Sequence, residues 1–75
     1  MANMGEFART PEQQASGRRA CLERARDWRL QAGHVRDYAA QPHLASDVRA
    51  GLLCNARVCD DEAEYWEAGA QEYLP

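Results

Sequence analysis

The chain has no lysine, no isoleucine and one phenylalanine, and its 75 residues include only six leucines and three valines. So thin a supply of large branched residues excludes a wide β-sandwich, whose inner faces need them. No run of about 18 apolar residues occurs, which excludes a membrane-spanning helix. The first residues carry neither the basic segment nor the apolar segment of a secretory leader. The three cysteines are an odd number and form no dense framework, so free thiols in a reducing, cytoplasmic setting are expected. Glycine-rich phosphate loops are absent.

Alanine is abundant instead. Fourteen alanines supply much of the apolar content. Alanine is the best helix former and suits helices that approach closely. One pattern occurs twice: Cys21, Ala25, Trp28 and Ala32 recur as Cys59, Ala63, Trp66 and Ala70, 38 residues later. The steps of four, three and four residues keep these side chains on one helical face. A tandem repeat of the tetratricopeptide type is excluded, because neither tryptophan is followed by that motif's Leu-Gly and Tyr spacing.

Residues 1–9 show no period and are expected to be a flexible N-terminus, followed by one helical domain over residues 10–75. Thr10-Pro11-Glu12-Gln13 is a helix start, with a capping hydroxyl, a proline at the first helical position and a glutamine placed to close a capping box. The first seam reads Cys21, Ala25, Trp28, Ala32, Val35, Ala39. The second reads Ala45, Leu52, Ala56, Cys59, Ala63, Trp66, Ala70, Tyr73. Pro42 breaks the pattern between them. Gly33 and Asp60 are candidate interruptions within the two stretches. Val48, Leu52, Leu53, Cys54, Ala56, Val58 and Cys59 are apolar nearly all round, and that segment is expected to be the most buried.

The fold class is therefore all-α: a small antiparallel helical hairpin or a three- to four-helix bundle, turning near Pro42. Folding the chain there sets residue i opposite roughly residue 83 − i. Trp66 would then face Gly17, and Trp28 would face Asn55 and Ala56, both tryptophans largely buried against small residues. Charge is divided unevenly. Residues 1–57 hold all nine arginines and six acids, whereas residues 58–75 hold six acids and no base. The same fold sets Arg18, Arg19, Arg24 and Arg26 beside Glu62, Glu64 and Glu67. Leu22, Leu30, Tyr38, Leu53 and Tyr65 fall off the main seam and need cover.

Few residues suggest chemistry. Cys54 and Cys59 are five residues apart, and Cys21, His34 and His43 are scattered, so the paired spacing of a structural zinc site is missing. Cys54 and His43 could be aligned as nucleophile and base, but nothing nearby would activate them and the domain is small for a shielded pocket. No enzyme activity, cofactor or metal is expected. The function expected is a non-catalytic protein–protein interaction module, such as a small bacterial or phage regulator, inhibitor or adaptor, working with a protein partner or as a homodimer. Its contact residues would be Asp61, Glu64, Tyr65 and Glu67, an aromatic among acids. The alternative is a nucleic-acid-binding regulator that uses Arg18, Arg19, Arg26, Arg29 and Arg36 on phosphates.

Overall fold

The computed structural model describes residues 8–73, and these form two helices, α1 over Pro11–Ala39 and α2 over Ser46–Gln71. No strand occurs among the described residues, and the three- or four-helix arrangement is not adopted. Residues 1–7, most of the expected flexible terminus, lie outside the described part.

Each boundary has a local cause. At Thr10 the side-chain hydroxyl accepts from the Gln13 N–H at 3.1 Å while the Thr10 N–H donates to the Gln13 side chain at 2.8 Å, closing the capping box. Pro11 occupies the first turn, where its missing N–H costs nothing. The seam keeps its period through Gly33, whose backbone stays right-handed, so α1 runs on for 29 residues. Asp60 likewise lies inside α2 instead of capping it. Residues 40–45 link the helices, and Pro42 falls within them. Arg49 ties this link down. Its guanidinium donates to the carbonyls of Ala39 at 2.9 Å and Gln41 at 2.8 Å, neutralising part of the negative end of α1. Ala45, expected on the second seam, is the exposed N-cap of α2 and makes no side-chain cap.

The helices pack antiparallel: Arg9 donates to the Glu72 carbonyl at one end and Arg49 to Ala39 at the other. The core consists of Cys21, Ala25, Ala32 and Ala39 from α1 and Ala56, Cys59, Ala63 and Ala70 from α2. Alanine thus fills one position of three successive heptads on each helix, and Trp28, Val35, Leu52 and Trp66, half-buried, alternate with Cys21 and Cys59 at the other. Among the described residues no large side chain is fully buried. Both tryptophans are part-buried, short of the full enclosure of the alanines. A pair of helices encloses only a single stripe, and a ring as large as indole extends past its edge.

The register also differs from expectation. Cys21 lies against Gly69, Arg24 covers Trp66, and Tyr73 packs on Gly17. Residue i thus faces roughly residue 90 − i, one heptad beyond the 83 − i expected. Gly17 meets Tyr73 where Trp66 was expected, and the register sets Trp66 beside Ala25 and Trp28 beside Ala63. Cys21 and Cys59 are consequently apart, and Cys21, Cys54 and Cys59 are all free thiols. Two effects move the register. The link between Ala39 and Ser46 has its midpoint beyond the fold point assumed, and helical side chains lean toward their own N-terminus, which raises both partners' numbers. A seam repeating every seven residues then offers registers seven apart.

The segment over residues 48–59 is not the most buried. Val48, Leu53 and Val58 are exposed, as is Cys54, and only Ala56 and Cys59 are enclosed. A helix that is apolar all round buries just the stripe its partner reaches. Leu22, Leu30, Tyr38, Leu53 and Tyr65 all remain exposed.

Candidate functional site

Two packed helices present two broad faces, and the heptad positions assign different chemistry to each. One face carries Leu22, Arg29 and Arg36 from α1 opposite Leu53, Asp60 and Glu67 from α2. Here the charged groups form a chain. Arg29 pairs with Glu67 at 2.7 Å and with Asp60 at 3.2 Å, and the second oxygen of Asp60 accepts from Arg36. The Asp60 carboxyl is held below the ordinary carboxylate range, chiefly by the hydrogen bond from Arg36; desolvation opposes this, and the charge of Arg36 and the contact with Arg29 add to it. The Arg29 guanidinium is shifted upward, first by its bond to Glu67, and that of Arg36 by its bond to Asp60.

These pairs replace the expected ones. Arg18, Arg19 and Arg26 form no ion pair among the described residues; they line a shallow depression on the outer side of α1 together with Leu22 and Glu23. Arg24 instead covers the Trp66 ring at 5.2 Å. The cause is the helical face: Arg29 and Arg36 stand on the edge of α1 that borders α2, beside Asp60 and Glu67, whereas Arg18, Arg19 and Arg26 stand on the outer side. The five arginines of the nucleic-acid reading are thereby split. Arg29 and Arg36 belong to the ion-paired face, and Arg18, Arg19 and Arg26 to the outer side of α1.

The opposite face is apolar. A groove of about 560 Å³ runs between the helices, lined by Asp27, Trp28, Gln31 and Val35 of α1 and Asn55, Val58 and Cys59 of α2. Trp28 thus shares a groove with Asn55, as expected, although it does not lie directly opposite. One heptad along α2 from Val58 stands Tyr65, 68% exposed, which meets the edge of Trp66 with ring centroids 5.4 Å apart and planes at 83°. Beyond it, Tyr65, Trp66, Cys21, Gly69 and Tyr73 border a second hollow. Tyr38 and Val48 extend the same face toward the link and are also exposed.

The four expected contact residues do not converge. Tyr65 stands on the groove face and Glu67 on the ion-paired face, while Asp61 and Glu64 point outward from α2 and are exposed. The sequence reading passed over Trp28, Val35 and Val58 as groove residues. The signal for them was the seven-residue step from Val58 to Tyr65 beside the tryptophan seam.

Among the described residues no three His, Cys, Asp or Glu side chains gather as a ligand set for a metal ion. No helix among them is long and apolar enough to cross a membrane. The fold and this face define a helical hairpin with an alanine seam, charged on one side and apolar on the other. No protein-family model, curated protein or solved structure matches the chain, so its function rests on its own geometry.

Proposed function

We propose that the chain is a non-catalytic protein–protein interaction module of the cytoplasm, acting as a small regulator, inhibitor or adaptor through the groove face. One observation carries this reading: Tyr38, Val48, Val58 and Tyr65, all exposed, stand with the two tryptophans on the side of the hairpin opposite the ion pairs, whereas Leu22, Leu30 and Leu53 are spread over the other sides. Contiguous apolar surface of this kind marks an interaction site more often than scattered exposed residues do. Aromatic groups beside a few polar ones, here Asp27, Gln31 and Asn55, suit a partner that offers both apolar and hydrogen-bonding groups. The ion pairs of Arg29 and Arg36 favour this reading over the nucleic-acid alternative, since those guanidiniums already have acidic partners.

The test compares three baits: the native chain, Val58→Asp in the groove and Leu30→Asp on the far side of α1. Each is cross-linked in extract of the native host, and the bound chains are identified by mass spectrometry. The expected result is one defined protein held by the native chain and by Leu30→Asp, and lost from Val58→Asp. Salt-dependent retention on duplex DNA that disappears in Arg18→Glu/Arg19→Glu, with no groove-dependent protein bound, would replace this reading by the nucleic-acid one.

A further inference from the structure

Resting on the interaction-module reading, we infer that the partner seated on the groove face is a second copy of this chain, in a two-fold dimer that places Tyr65 of each copy in the Trp28/Val58 groove of the other. The face is self-complementary. It holds a knob, Tyr65, and a hollow of about 560 Å³, one heptad apart along the same stripe of α2. In a two-fold interface the patch meets itself, so a knob and a hollow side by side are what such an interface requires. The chemistry fits the fill. The tyrosine ring would lie on Trp28, Val35 and Val58, and its hydroxyl would reach a groove whose polar groups are Asp27, Gln31 and Asn55.

The area also fits. The 26 residues of α2 extend about 39 Å at 1.5 Å per residue, and two helices side by side are roughly 20 Å wide. One face of the hairpin therefore offers roughly 800 Å², which is what one partner supplies to a stable interface of standard size. The core supplies the need. Among the described residues no large side chain is fully buried, and Tyr65, Val58 and Tyr38 stand 68%, 55% and 53% exposed. Joining two such faces converts a single seam into the enclosed centre of a four-helix arrangement, which covers these residues and the free edges of both tryptophans. The ion-paired face and the outer arginines remain in water.

The experiment is sedimentation and light scattering of the purified chain from about 1 to 300 μM. The expected mass is twice the 8.5 kDa of the chain. Tyr65→Asp and Val58→Asp should each weaken association on the order of 30-fold, the effect of truncating a central anchor. Leu30→Asp, facing away, should leave the dimer intact. Circular dichroism of each variant establishes that its helices form. A monomeric native chain across the whole range overturns the inference whatever the variants do, as does a dimer indifferent to both groove substitutions. If the native chain is monomeric yet the Val58→Asp bait still loses a defined partner, self-pairing fails and the interaction-module reading stands. If neither association is seen, both fail.

Discussion

The ring of Tyr73 lies so close on Gly17 that a Cβ at that position would overlap it. Arg9 completes the stack, its guanidinium 4.2 Å from the ring centre while it also donates to the Glu72 carbonyl. This stack fastens the end of α2 to the start of α1, and it separates two substitutions that look alike in the sequence. Gly33→Ala adds a methyl where nothing lies within 4 Å, inside a continuous helix. It should stabilise the fold by about 0.5–1 kcal/mol, the ordinary gain of alanine over glycine in a helix. Gly17→Ala has the same helical gain but must expel Tyr73. Hydrogen exchange should show faster opening of the last turn of α2 in Gly17→Ala and none in Gly33→Ala.

The alanine seam is the second point of attack. Ala32 is fully enclosed between the helices. Ala32→Leu adds three carbons where the backbones approach, and overpacking of this kind costs about 1–3 kcal/mol. The same residue type added outside, as Gly33→Leu, meets open space and should cost far less. Urea melts of the two variants measure the difference. Equal midpoints would mean that the seam is not closely packed.

Asp60 gives the fold a pH dependence of known sign. Its carboxyl is depressed in the folded chain, chiefly by the hydrogen bond from Arg36, so its contribution is present above the ordinary carboxylate range and is lost as pH falls through the folded value. The window lies below about pH 4, the unperturbed aspartate value. Thermal melts from pH 6 to pH 2 should fall more steeply for the native chain than for Asp60→Asn. The groups are part-exposed, so the difference should be modest and shrink in 1 M salt.

Arg49 closes the link from the far side. Arg49→Met keeps the aliphatic stem and removes the bonds to the Ala39 and Gln41 carbonyls. Charge-assisted hydrogen bonds of this kind contribute about 1.5–3 kcal/mol each at most, and the helix end adds a few tenths. A loss of about 1–3 kcal/mol in urea melts is expected. No loss would show that the link holds its shape without Arg49.

Local information in the sequence determined the helices, the start of α1 at Thr10, the small residues of the seam and the list of apolar side chains left off it. Capping and heptad spacing act over a few neighbouring residues, so they are legible without the rest of the fold. Register was not. A pattern that repeats every seven residues looks the same after a seven-residue slip, and the choice falls to the length of the link and the lean of side chains. What depends on the packing went with it: Arg29 and Arg36, on the edge of α1 beside α2, meet the acids, Tyr73 rather than Trp66 covers Gly17, and Trp28 and Val58 share a groove beside Tyr65. Those relationships join residues 24 to 56 positions apart, and only the packing of α1 against α2 decided them.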